Sequence, residues 1–299
     1  MAIKVWLGTF SDNFSAVGHE ANWSDGALPV NNDTLILNDQ ATNSIGSGLA
    51  TVLTGIKLYA TRGWEKNVGS SGNFLTFASM AEFLHNGRGM DLYLDAGTTG
   101  LSFGQVDTDS QSETACVLKG KLAIGNGRLV INSGRVQFNG TTTLESGGAT
   151  FVTSSGASVD GTKLTIPATG MTNTGHTLYQ SGGLVDMSTG ITTCIVDGGR
   201  LRLLSSAAIA TLLNQRGGVV KYNSNGTLAK CEWRGGTFDA SENLRLNGAA
   251  FRIITEAHMY DDAQVNLDNG SIALTLTNGI RVFGKNSPKF AKGTKLSIS

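Results

Sequence analysis

Gly183-Leu-Val-Asp-Met, Gly199-Arg-Leu-Arg-Leu, Gly218-Val-Val-Lys-Tyr and Gly236-Thr-Phe-Asp-Ala decide the fold of this chain. Each reads G-x-Φ-x-Φ, with an apolar or small residue at Φ. The same phrase occurs earlier as Gly120-Lys-Leu-Ala-Ile, Gly127-Arg-Leu-Val-Ile and Gly134-Arg-Val-Gln-Phe. A short unit repeated at near-regular spacing is the sign of a stacked architecture. Stacked architectures serve more often as scaffolds and binding surfaces than as compact enzymes.

The phase of the repeat assigns an inside and an outside. Strand side chains alternate between faces. The second and fourth residues after each glycine are Leu129 and Ile131, Val136 and Phe138, Val185 and Met187, Leu201 and Leu203, Val220 and Tyr222, and these point inward. The third positions, Gln137, Asp186, Arg202, Lys221 and Asp239, meet solvent. The glycine supplies positive φ at the corner before each strand.

Two spacings are present. Gly120, Gly127 and Gly134 lie seven apart (127 − 120 and 134 − 127), which suits one strand and a turn. Gly183, Gly199, Gly218 and Gly236 lie 16, 19 and 18 apart by subtraction, which suits one coil of two or three strands. At a rise of about 4.8 Å per coil, roughly nine or ten coils make a rod about 45 Å long. The expected fold is therefore an all-β, parallel β-solenoid (β-helix) with an N-terminal capping region. Seven Asn-Gly pairs, at Asn86, Asn126, Asn139, Asn225, Asn247, Asn269 and Asn278, also signal tight turns of the hairpin kind. They keep an antiparallel β-sandwich as the competing architecture, although stacked coils account better for the constant glycine phase.

Composition agrees with a turn-rich folded chain. Glycine makes up 40 of 299 residues, about twice the usual ~7%. Hydrophobic residues are 40% and charged ones 15%, which excludes disorder. Net charge is zero, so no global field favours nucleic acid or an acidic membrane. No apolar run approaches a membrane span, and the N-terminus lacks the apolar core of a signal peptide. Cys116, Cys194 and Cys231 are odd in number and widely spaced. They fit neither a disulfide framework nor a zinc site and are expected to be reduced and buried.

Four regions are expected. Residues 1–60 form an aromatic head that caps the solenoid and attaches it. It contains Trp6, Trp23 and the short apolar strand Thr34–Leu37. Residues 61–115 form an irregular β region. Within it Met80–Leu84 fits a helical turn or a strand, Asp91–Asp95 reads as a strand, and Gln105–Thr114 reads as an exposed loop. Residues 116–282 carry the repeats. Residues 283–299 form a basic tail with Lys285, Lys289, Lys292 and Lys295 and no acid. That tail either touches a partner or, the favoured reading, blunts a sheet edge with lysines.

Motifs for chemistry are weak. His19, His85, His176 and His258 lack metal-ligand spacing and read as surface or turn residues. Elongated β-helices can host paired-carboxylate glycosidases, for which Asp107 with Asp109, Asp261 with Asp262, and Asp186 with Asp239 are the candidate pairs. All three pairs read as solvated turns or faces. Gly100-Leu-Ser-Phe-Gly104 has the form of a nucleophile elbow, but no helix is expected after it. Cys116 has no neighbouring histidine. Neither Gly120-Lys121-Leu122 nor Gly284-Lys285-Asn286 completes a phosphate-binding loop. The reading is no catalytic residue, no metal, no cofactor and no enzyme.

The head carries a resemblance. Asn22-Trp23, Gly26, Pro29 and Asp33 followed by an apolar strand resemble the N-terminal phrase of a group of tailed-bacteriophage β-helical virion proteins, which continue into glycine-punctuated repeats. The motif covers the first ~60 residues, the rest matching by texture, and related phrases head bacterial adhesins. The resemblance implies a structural virion protein, assembled in the host cytoplasm. It would be a capsid decoration or cement, or a projecting head protein, trimeric, and bound to the major capsid protein or to tail components. Trp6, Trp23, Pro29 and Asp33 are the cap or docking elements it points to. A tail-fibre or tailspike module that binds and perhaps cleaves host polysaccharide is the alternative, and it predicts an exposed aromatic strip with a carboxylate pair. A secreted adhesin fragment is the third reading.

Overall fold

A computed structural model describes residues 1–88, 91–108, 116–153, 161–168, 170–241, 252–267 and 274–285, with backbone alone at 252, 274 and 289–290. Every strand ladder among these residues is parallel. The protein is a parallel β-solenoid of about ten turns, with one short 3-10 helix at Glu20–Asn22. The antiparallel sandwich is thereby excluded. The chain divides into two compact units, Met1–Thr150 and Phe151–Ser299.

In the first unit the strands Ile3–Val5, Thr34–Leu37, Ile56–Ala60, Ser79–His85, Gly100–Asp107 and Arg128–Phe138 stack in sequence order. Their register aligns Leu35, Leu58, Phe83, Gly104 and Leu129 in one inward column. The four side chains of that column are essentially solvent-free. Met80–Leu84 is thus strand. Gln105, expected in a loop, continues a strand, because the coils on both sides pair with it, at Leu84 and at Val130.

The second unit shows the repeat most plainly. Leu164, Val185, Leu201, Val220, Phe238 and Val265 are consecutive neighbours in register, and all are buried. A second column runs Leu178, Cys194, Leu213, Cys231 and Ala257. Here one coil holds two strands, as in Arg200–Ser205 and Ile209–Gln215 between Gly199 and Gly218. The predicted inward pairs from Leu129 to Tyr222 are all buried.

The corners explain the glycines. Gly183, Gly199, Gly218 and Gly236 have φ between +63° and +74°. A Cβ on Gly199 would lie 2.5 Å from the backbone of Gly182 and Gly183 in the preceding coil, and one on Gly218 would lie 2.6 Å from the Gly199 carbonyl oxygen. Gly127 departs from the expected positive φ; it is fixed by close approach instead, since a Cβ there would lie 2.1 Å from the Ser102 oxygen. The Asn-Gly pairs at Asn86, Asn126, Asn139, Asn225 and Asn278 follow or precede parallel strands and so turn coil corners. Those at Asn247 and Asn269 lie outside the described residues.

Candidate functional site

The predicted head residues turn inward. Trp6 and Trp23 are 0% and 1% exposed and pack edge to face at 5.3 Å between ring centroids. The Trp6 indole donates to the Asn43 carbonyl (3.1 Å) and the Trp23 indole to the Phe14 carbonyl (3.1 Å). Each therefore meets the requirement that a buried N–H be paired. Pro29 is buried. Asp33 is buried too and accepts from the backbone N–H groups of Ala2 (2.7 Å) and Val30 (3.0 Å), tying the start of the first strand to the segment before the second.

Asn22 uses its whole amide. Its oxygen accepts from the N–H groups of Phe10 and Ser11, and its nitrogen donates to the Ser11 hydroxyl and the Asn13 carbonyl. Ser24 meets the outer edge of the first strand, exchanging bonds with both backbone groups of Val5. Among the residues the head exposes are the apolar side chains of Ile3 (68%), Phe10 (64%), Val17 (87%) and Val30 (58%), alongside polar ones such as Asp12, Asp25, Asn31 and Asn32.

In the basic tail, the Lys285 N–H donates to Asp261 Oδ1 (2.6 Å) and the backbone of Lys289 pairs with Asn266. Lys292 and Lys295 lie outside the described residues.

The candidate acids are placed apart. Asp186, Arg202, Lys221 and Asp239 occupy one outward column on successive coils. Asp186 and Asp239 are thus three coils, about 14 Å, apart, beyond the separations that glycosidases use. Two basic side chains stand between them. Asp107 accepts from the Ser133 hydroxyl (2.6 Å), and Asp109 lies outside the described residues.

Gly100-Leu-Ser-Phe-Gly104 is plain strand. Gly104 sits in the core column, where a Cβ would press on Leu101 and Leu129 at 3.1 Å. His85 and His176, expected on the surface or in turns, are buried. His85 takes an inward strand position between Ala60 and Val106. Burial pushes its imidazole down to about 4. Among the described residues no group of three or more His, Cys, Asp and Glu gathers as for a metal, and no helix is long and apolar enough to cross a membrane.

Two features were not legible in the sequence. The first is a ladder in the second unit: the Arg234 guanidinium lies 4.5 Å from the Tyr260 ring centre, and Tyr260 stacks on Phe283 at 5.1 Å and 16°. Glu232 joins it, bonded to Arg234 and Lys230. Burial raises the Glu232 carboxyl, but those two cations outweigh it and hold the group below the usual range. The ring faces point along the stack toward one another, so they pack coil on coil. The second is a cavity of about 420 Å³ on the first unit, lined by Thr51, Val52, Asp95, Thr98, Lys119 and Thr143 among others. Its residues come from separate coils, so no local motif announces it.

Comparison with known proteins finds no matching family model, no matching curated protein and no matching solved structure.

Proposed function

We propose that this chain is a structural protein of a tailed-bacteriophage particle, a trimeric decoration or cement on the capsid or a projection from the head. It acts through contacts with the major capsid protein or with tail components, not through chemistry, and assembles in the host cytoplasm. The observation that carries the reading is the head. Asn22, Trp23 and Asp33 of the Asn22-Trp23, Gly26, Pro29, Asp33 phrase spend their polar groups on internal hydrogen bonds, while Ile3, Phe10, Val17 and Val30 are exposed around them. An exposed apolar set on a rigid support suits docking to a protein neighbour. Stacked backbone bonds through parallel coils supply the stiffness that a particle component needs.

The test is to tag the chain in phage-producing cells, purify particles and image the label. Label on the capsid is expected. Label confined to the tail would replace decoration by a tail-fibre role, and particles without label would overturn the proposal. Light scattering of the isolated protein should give three times the 31.2 kDa chain mass.

A further inference from the structure

The Asn-Gly pairs at Asn86, Asn126, Asn139, Asn225 and Asn278 share one dipeptide, and only their surroundings separate them. An asparagine before glycine can close on itself. The glycine nitrogen attacks the side-chain carbonyl carbon, and no Cβ on the glycine hinders the approach. Closure requires that the glycine N–H leave its hydrogen bond, that the peptide plane between the two residues rotate, and that the asparagine side chain swing freely.

Four pairs are held against that motion. The Gly127 N–H donates to the Ile124 carbonyl (2.9 Å), and the Ser102 oxygen lies 2.1 Å from where a Cβ would stand. The Gly226 N–H donates to the Ser224 hydroxyl (2.9 Å), with the Ala207 oxygen 2.2 Å from its Cβ position. Gly87 is buried, and its N–H donates to His85 Nδ1. Its Cβ position lies 2.8 Å from the His85 ring and 3.1 Å from the Trp64 ring. Asn139 is pinned by its own bonds: Oδ1 accepts from the Thr141 N–H (3.1 Å) and hydroxyl (3.2 Å), its N–H donates to the Leu118 carbonyl, and its carbonyl accepts from the Thr142 N–H.

Asn278-Gly279 lacks these restraints. Asn278 is exposed, and its side chain bonds no group among the described residues. The Gly279 N–H reaches only the Leu276 carbonyl of its own turn, at 3.4 Å. Nothing lies within 4 Å of a Cβ built on Gly279, so the peptide plane has room to rotate.

We infer that Asn278-Gly279 is a self-modification site, where the chain converts an asparagine to aspartate and isoaspartate without an enzyme. The Gly279 nitrogen bonds to Asn278 Cγ and gives up its proton. The Cγ–Nδ2 bond breaks, and Nδ2 leaves as ammonia with that proton. Water then opens the cyclic imide. Attack at Cγ restores the backbone with an aspartate side chain. Attack at the Asn278 main-chain carbonyl carbon leaves the chain running through Cβ and Cγ, which is isoaspartate. One water is consumed and one ammonia released, and the formally neutral chain gains a carboxylate. Isoaspartate also lengthens the backbone just before Ile280–Phe283, the strand whose Phe283 stacks on Tyr260. The conversion does not depend on the particle role proposed above.

The full chain is incubated at mildly alkaline pH in water enriched in oxygen-18, folded in one arm and in urea in the other. Both arms are then digested in ordinary water and mapped by mass spectrometry, so that the label marks carboxylates formed during the incubation. In the folded arm the Asn278 peptide is expected to convert at least about tenfold faster than the peptides of Asn86, Asn126, Asn139 and Asn225, the ratio that a barrier difference of roughly 1.4 kcal/mol gives. It should elute as two labelled isomers, and Asn278→Gln should remove both. In urea the five rates should converge. A smaller lead in the folded arm, faster conversion at any of the other four pairs, or a lead that persists in urea overturns the inference.

Discussion

Arg202 grips Asp186 from the next coil with two bonds, Nε to Oδ1 and Nη2 to Oδ2, each 2.5 Å. Lys163 approaches the same carboxylate from the other side at 3.4 Å. The Asp186 side chain is only 10% exposed, so water contributes little to its solvation. Two-point guanidinium–carboxylate pairs of this kind are among the stronger polar contacts. Asp186→Ala leaves two cations facing each other and is expected to destabilise the second unit by about 2 kcal/mol. Asp186→Arg combined with Arg202→Asp should recover part of the loss. Urea unfolding of the two singles and the double, read as a mutant cycle, checks it. A non-interacting pair would give additive losses.

The glycine corners separate two penalties. Gly218 and Gly279 both hold left-handed backbone, at φ +66° and +71°. Around Gly279 nothing lies within 4 Å of an added Cβ, whereas at Gly218 the neighbouring coil's backbone is 2.6 Å away. Gly279→Ala should cost only the left-handed term, about 1–2 kcal/mol. Gly218→Ala must also push two coils apart and should cost clearly more, with loss of soluble protein as the extreme. Thermal melts of the two variants, side by side, test the difference.

That contrast shows what the sequence could carry. The phase of Gly183, Gly199, Gly218 and Gly236 predicted the inward columns because side-chain alternation is local and the corner recurs. The same repeat holds a further signal: Gln180-Ser-Gly-Gly and Gln215-Arg-Gly-Gly place equivalent glutamines before two corners. Each amide nitrogen donates to both glycine carbonyls of its own corner and to the next coil, at Arg200 or Thr237. By contrast, the polar stretch from Gln105 reads as loop, because the strand state of Gln105 depends on neighbours more than twenty residues away. The first-unit cavity was invisible for the same reason. Thr51, Thr98 and Thr143 become neighbours only when coils stack.

His85 should make the first unit sensitive to acid. Its folded value is lowered from 6.5 to about 4 because burial disfavours the imidazolium. The unfolded chain therefore binds a proton between those limits that the folded chain refuses. Stability from this group is full above pH 6.5 and falls as pH drops toward 4, by about 3 kcal/mol in all. His85→Phe should flatten that part of the profile. Urea midpoints of wild type and variant between about pH 7 and 4.5 provide the comparison. Parallel curves would show that His85 has no part in the acid response.

The three thiols should be silent in the native protein. Cys116, Cys194 and Cys231 are free and buried, and burial pushes each thiol up, Cys194 to about 12. The thiolate is the reactive form, so labelling by iodoacetamide at neutral pH should follow unfolding. Quantitative labelling of folded protein within minutes would contradict the burial.

The head offers the sharpest separation of stability from function. Trp23→Ala removes a fully buried indole that packs on Trp6 and Phe14, and should cost about 3–5 kcal/mol. Ile3→Ser with Val30→Ser alters side chains that are 68% and 58% exposed, and should leave the melting temperature within about a degree or two. If these apolar side chains dock the protein on a particle neighbour, the serine pair folds normally but is missing from purified particles. Normal incorporation of that variant would remove the head face as the docking surface, whatever Trp23→Ala does to the fold.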